Sequence, residues 1–336
     1  MVRIPGMLRR SSGLDAEDDS TSSARFLCQD PCAEQLIRSG RYCHILDVDV
    51  NDWETDAIEA AWQVLGDRMA VVPSGVVSLD SVTSKIGSLR SDFQEHETVA
   101  AFLIDRQPVT NAEYGHFVQY GGYDQHDLWP SEVLPYVLQF LDQTGCPGPR
   151  YWNNGQPPRD RLDHPVVGIS WYEANAFANW VGKRLATSAE WQRAGTWWRE
   201  GVRYPWGSGF EKDRANTWSS DGSSTVSVHD YASGMTPNGV GHLIGNVWEW
   251  VFGLIDFCEV ESGQVLLQQP LAEIRGGAFD TYLPSQATCT FRSGARLFDR
   301  VHNIGFRCCV AQHVLRSRGD QQESDHHSFA DDHDVS

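Results

Sequence analysis

Gly245-Asn246-Val247-Trp248-Glu249-Trp250 is the stretch that decides how this 336-residue chain is read. Two indoles bracket one carboxylate, one valine beyond a Gly-Asn pair. Large rings beside freely turning backbone are expected where aromatic side chains pack against irregular loops. The same texture spreads outward, with 13 Trp and 30 Gly in the chain. That composition argues against repeated helices or a regular sandwich. Beyond Arg199 no long helical period occurs. Short strands and long loops dense in Gly, Asn, Ser and Trp are predicted there.

Towards the N-terminus the helical signals are local. Thr110 with Glu113, Ser170 with Glu173 and Thr187 with Glu190 each place a hydroxyl at an N-cap and a carboxylate three residues on, predicting three helix starts. The second helix runs on through Ala174, Phe177, Ala178, Trp180 and Val181. Met69 to Leu79 predicts a strand pair with a turn, and Val99 to Ile104 a further strand. Ser131 to Gln143 predicts another helix. Asp52 to Leu65 predicts an amphipathic helix with Ile58, Ala61, Trp62 and Leu65 on one face and acids in its first turn. The expected organisation is a disordered leader over 1–25, a short helical segment over 26–67, a loop-rich α+β domain over 68–312 and a disordered acidic, His-containing tail over 313–336.

Lys plus Arg is 27 and Asp plus Glu is 45, a formal net charge of −18. A phosphate backbone or an anionic membrane would repel such a chain, so neither nucleic acid nor membrane is an expected partner. No apolar run reaches the roughly 18 residues of a transmembrane helix. Arg3, Arg9 and Arg10 are not followed by an apolar stretch, so no secretory signal is visible and a cytoplasmic location is expected. The 8 Cys are then expected as reduced thiols. The phosphate-cradling GxxxxGK[ST], the GxSxG nucleophile elbow and the HExxH zinc helix do not occur.

Three constellations could carry chemistry. Asn216, Asp221 and Glu249 lie in Gly/Ser/Asn-rich loops with many free carbonyls, the hard oxygen set that Ca²⁺ takes; side chains closing their own turns are the alternative. Cys28, Cys32, Cys43 and His44 supply four soft ligands within 17 positions, either a zinc site or scattered thiols. Cys289 stands close in sequence to Arg292 and Arg296, whose guanidinium groups would favour a reactive thiolate; a buried thiol is the alternative.

Seven phrases occur in order along the chain. They are Pro108-Val109-Thr110-Asn111-Ala112-Glu113-Tyr114, then His164-Pro165-Val166-Val167-Gly168-Ile169-Ser170-Trp171, then Lys183-Arg184-Leu185-Ala186-Thr187-Ser188-Ala189-Glu190-Trp191. Tyr204-Pro205-Trp206-Gly207 and the stretch quoted at the outset follow, then Arg275-Gly276-Gly277-Ala278-Phe279 and Asn303-Ile304-Gly305-Phe306-Arg307. Together they resemble the formylglycine-generating enzyme (sulfatase-modifying factor) superfamily over roughly 68–312. The resemblance implies a C-type-lectin-like fold with little regular secondary structure and bound calcium, and buried rings at Trp248 and Trp250 of the family's most recognisable phrase. It also implies a possible O₂-dependent oxidoreductase, in which two cysteine thiolates hold copper and a sulfatase cysteine becomes formylglycine. Related sulfoxide synthases use iron held by histidines from a preceding helical domain. Other relatives are thought to be binding or regulatory modules.

Residue by residue, the resemblance places a first calcium on Asn216, Thr217 O, Asp221 and Ser223 O. It places a second on Glu249 with carbonyls such as that of Val247, where a usual Asn or Asp is His242. The copper pattern departs further. Ala278 stands where the family has a serine, and Thr281 and Thr288 stand at the two cysteine positions. Cys289 falls one place off, and 26–66 offers only His44 for iron. The expectation is a divergent member that binds a protein or peptide, with copper or iron chemistry at Cys289, Arg292 and Arg296 as the alternative.

Overall fold

The computed structural model describes residues 41, 63–79, 95–220, 223–260 and 263–311. The leader, the tail, most of the expected 52–65 helix and the Cys28/Cys32/Cys43/His44 set lie outside them. Residues 63–68 are helical, and Leu65 is buried.

Two four-stranded sheets organise the domain. The first contains β1 (Met69–Val72), β4 (Phe102–Asp105), β10 (Cys308–Ala311) and β5 (Arg184–Leu185), in the order β1-β4-β10-β5. The second has the order β8-β7-β6-β9, from β6 (Trp248–Val260), β7 (Gly263–Arg275), β8 (Arg292–Arg296) and β9 (Ile304–Phe306). A separate hairpin pairs β2 (Gly75–Leu79) with β3 (Glu95–Val99). Met69 to Leu79 thus contains two strands, but they do not pair with each other: β1 joins β4. The apolar pattern showed strand, while the pairing was decided by distant partners. The strand expected over 99–104 splits, with β3 ending at Val99 and β4 starting at Phe102. Beyond Arg199 the strands are not all short, since β6 and β7 form a hairpin of 13 residues a side.

All three predicted helix starts carry complete capping boxes. They open α1 (Asn111–Gln119), α2 (Trp171–Trp180) and α3 (Ser188–Thr196). The segment 131–143 is helical only over the single turn Leu134–Val137. Pro135 fits the first turn of a helix but lacks the donor that a longer one needs.

β6 separates two cores. Alternate side chains of a strand face opposite ways, so Trp250 joins Tyr114, Phe117, Phe177, Trp180 and Phe306, while Val251 joins Trp191, Tyr204 and Cys289. Trp250 is 1% exposed, as expected, and donates its indole N–H to the Ile169 carbonyl at 3.3 Å. Trp248 is only half-buried, against Phe291. Trp250→Ala should cost about 3–5 kcal/mol, in the range of large core truncations. Phe252→Ala, exposed where the strand's register shifts beyond Trp250, should stay within about 1 kcal/mol of the parent. Urea unfolding of both variants checks the contrast.

Candidate functional site

The Gly245–Trp250 phrase is a hub for its neighbours. Gly245 has φ +77°, and a Cβ there would lie 2.3 Å from the Asn216 carbonyl oxygen, so only glycine lets the two loops close. Asn246 N–H then donates to Asn216 O at 2.7 Å. The Asn246 side chain accepts from Val226 N–H at 2.9 Å and from the Asn216 amide at 3.2 Å. Its carbonyl accepts from Phe279 N–H at 3.2 Å. One asparagine therefore ties together the loops carrying residues 216, 226 and 279.

Glu249 is 1% exposed and forms a two-pronged ion pair with Arg307, at 2.7 Å from Nη2 to Oε1 and 2.8 Å from Nε to Oε2. Trp191 Nε1 adds a third donor at 2.7 Å. This carboxylate already balances one buried cation, and a calcium ion there would compete with a guanidinium. Val247 is buried beside it. Of the first calcium set, Asn216 and Thr217 are buried and Ser223 is exposed; Asp221 lies outside the described residues. The Thr217 carbonyl accepts from Ser220 N–H at 2.9 Å.

The Cys289 expectation is corrected in its partner and in its thiol. Arg292 gives its guanidinium to Glu273, at 2.8 and 2.9 Å. Arg296 is exposed on the edge strand β8. The cation beside Cys289 is the buried Arg275, which donates to the Cys289 carbonyl at 2.6 Å rather than activating the sulfur. Arg275 also bonds Ser188, Gln192 and Glu273, locking α3 to β7. The Cys289 sulfur packs against Gly195, where a Cβ would lie 2.6 Å away. Burial pushes the thiol up to about 12, with Arg275 opposing weakly. It stays protonated at neutral pH and is a poor nucleophile and a poor metal ligand.

The two positions at which the resemblance expects thiolates carry hydroxyls committed to turns. Thr281 Oγ1 accepts from Ala278 N–H at 2.8 Å, and Thr288 Oγ1 accepts from Phe291 N–H at 3.1 Å. A copper dithiolate does not fit these residues. Among the described residues no group of three or more His, Cys, Asp or Glu could hold a metal ion.

Sequence reasoning gave no role to the surface around this loop. Asp280 is held by Asn303 Nδ2, at 3.2 Å to Oδ1 and 3.0 Å to Oδ2, with His302 Nε2 at 3.6 Å. Trp218 and Tyr282 stand exposed with ring centroids 6.3 Å apart. Asn303 was visible in the last of the seven phrases, but neither pattern nor spacing connects 218, 280 and 302.

A sequence model of the sulfatase-modifying factor enzyme 1-like domain matches residues 55–312. The chain belongs to this family. Within it, the chain is 34% identical over 166 residues to a hercynine oxygenase of Mycobacterium tuberculosis, covering 45% of this chain and 37% of that protein. It is 28% identical over 288 residues to the inactive C-alpha-formylglycine-generating enzyme 2 of Bos taurus, covering 75% and 92%. The chain spans less than half the length of the first curated relatives it matches. Among solved structures, PvdO from Pseudomonas aeruginosa aligns over 72% of this chain and 94% of that one, with a TM-score of 0.51 and 23% identity. The fold is thus the loop-rich α+β fold of formylglycine-generating-enzyme type.

His242 occupies the place where the family resemblance expects Asn or Asp. Its φ is +53°, and both ring nitrogens are buried with no hydrogen-bond partner among the described residues, near the backbone of Val228 and Asp230. Burial first, then the nearby Arg307 charge, lowers its pKa to about 4. The folded state thus binds the proton less well than the unfolded chain, whose histidine titrates near 6.5. The stability is complete above the unfolded value and is lost as pH falls towards the folded one. His242→Asn, which suits the left-handed backbone, should remove a stability loss on the order of 2–3 kcal/mol between those limits. Denaturant unfolding of parent and variant across that range reads the difference.

Proposed function

We propose that this chain is a divergent sulfatase-modifying-factor-like protein that acts as a binding or regulatory module on a protein or peptide, and that it does not activate sulfatases. One observation carries the reading. Where the family resemblance expects two copper-binding thiolates, this chain has Thr281 and Thr288, each closing a turn. The neighbouring Cys289 is a buried thiol pushed up to about 12. Cu(I) chemistry needs soft anionic sulfur, and a single protonated thiol does not supply it. The likeness to an inactive formylglycine-generating enzyme 2 supports the same reading.

Incubating the full chain with copper, O₂ and a cysteine-containing sulfatase peptide should leave the cysteine mass unchanged by mass spectrometry. Conversion of that cysteine to formylglycine would overturn the proposal. The likeness to a hercynine oxygenase favours a second reading, an O₂-dependent metal oxidoreductase acting on a thiol. Stoichiometric iron or copper in the purified protein would favour it over a binding role.

Calcium belongs to the proposal as a structural ion on Asn216, Thr217 O, Asp221 and Ser223 O. An ion that binds only the folded state raises the melting temperature. Added calcium should therefore raise the Tm of the parent protein and leave that of Asp221→Ala unchanged. An equal rise in both proteins would remove the assignment.

A further inference from the structure

We propose that the aromatic strip formed by Tyr136, Phe298, Tyr172, Trp171 and Phe252 docks a proline-rich segment of a protein partner, held as a polyproline II helix with a basic residue beside its prolines. The inference rests on the binding reading above and names a surface and a partner class for it. It uses none of the positions around Ala278.

The rings follow one another in unbroken contact. Their centroids lie 5.1 Å apart from Tyr136 to Phe298, 4.9 Å from Phe298 to Tyr172, 5.4 Å from Tyr172 to Trp171 and 6.0 Å from Trp171 to Phe252. Tyr136 is 48%, Phe298 45% and Phe252 56% exposed, while Tyr172 and Trp171 are half-buried. The frame beneath them is pinned. Arg300 holds the loop of Phe298 by donating to the carbonyls of Leu141 and Gly148, at 2.9 and 2.5 Å, and to Glu173 at 3.1 Å. Trp171 donates its backbone N–H to the Leu297 carbonyl at 3.0 Å and its indole N–H to the Val251 carbonyl at 2.9 Å. Contiguous exposed rings on a fixed frame mark a contact surface.

Three features select the partner. A polyproline II helix arrives already extended, so docking it on aromatic faces costs little conformational entropy. Prolines three apart recur about every 9 Å along one edge of that helix, close to two of the ring intervals in the strip. Its backbone has no internal hydrogen bonds, so its carbonyls need outside donors. The hydroxyls of Tyr136 and Tyr172 have no hydrogen-bond partner among the described residues and can supply them. The charge of Glu132 reaches Tyr172, where it adds to burial in raising the phenol's pKa, so the rim of the strip favours a cation. A second copy of this chain would instead bring together two net charges of −18.

The probe is fluorescein-labelled Pro-Pro-Ala-Pro-Pro-Arg-amide, set against its counterpart with alanine at every proline, which keeps the charge. Anisotropy of the label is followed as the full chain is added. Saturable binding of the proline peptide is expected, with the alanine peptide weaker by at least about tenfold. Phe298→Ser should weaken the proline peptide about tenfold. Tyr172→Phe, which keeps the ring and loses the donor, should weaken it about threefold. Glu132→Gln should weaken it about threefold and flatten its salt dependence. Trp218→Ser, whose parent ring pairs with Tyr282 instead, should leave it unchanged. Equal binding of the two peptides, an unchanged affinity in Phe298→Ser, or binding lost in Trp218→Ser would each overturn the proposal. So would a dimer of the free chain that sedimentation shows Phe298→Ser to dissolve, since the strip would then belong to a second copy. Should Phe298→Ser fold poorly, Tyr136→Ser at the end of the strip reads the same loss. Formylglycine formed by a chain that still takes the peptide at the strip would remove the proposed function alone. Absence of both formylglycine and peptide binding would remove this inference alone.

Discussion

The buried pair of Glu249 and Arg307 is the constraint on which the remaining structure depends. Arg307 follows β9 and precedes β10, so it stands at the junction of the two sheets. Besides Glu249 it donates to the carbonyls of Asp105 and Gly241, at 3.0 and 2.7 Å. Trp191 of α3 completes the Glu249 side. One guanidinium thus fixes the end of β4, the loop before Gly245, and β6. Removing two charges from water is costly, and removing one partner would leave the other uncompensated. The pair therefore specifies an arrangement more than it adds stability.

The alternation of β6 and β10 builds on that junction. Trp250 and Cys308 face the aromatic core, and Val251 and Cys309 face the second core. The adjacent cysteines therefore point to opposite faces of one sheet, each buried as an apolar side chain. Burial pushes both thiols well up. Cys289, Cys308 and Cys309 are all buried and serve packing, while Cys146 is half-buried.

On the proposed binding reading, chemistry and recognition would occupy separate parts of this scaffold. The interior positions near Ala278 hold hydroxyls and a protonated thiol. The outer rim keeps exposed rings and a braced carboxylate. Asn246 and the two ion-pair networks hold these loops through hydrogen bonds to the backbone. The fold can then keep its surface while its reactive centre changes, as expected when function resides in sites carried by a scaffold.

Local sequence determined the elements whose physics is local. The three helix starts were legible because a hydroxyl and a glutamate three residues apart satisfy each other's backbone donors within one turn. The seven ordered phrases were legible as a family pattern, and the burial of Trp250 followed from its place in one of them. Pairing was not legible: β1 and β2 are neighbours in sequence yet belong to different sheets, since strand partners lie far along the chain. Nor was the environment of Cys289, where Arg275, 14 positions away, displaced the expected Arg292 because Glu273 had claimed the latter. Trp218 with Tyr282, and Asp280 with His302, share no period or spacing, and only folding pairs them. Sequence alone determined family, caps and core aromatics; tertiary structure decided which charges met, because an ion pair depends on distance in space and not on separation along the chain.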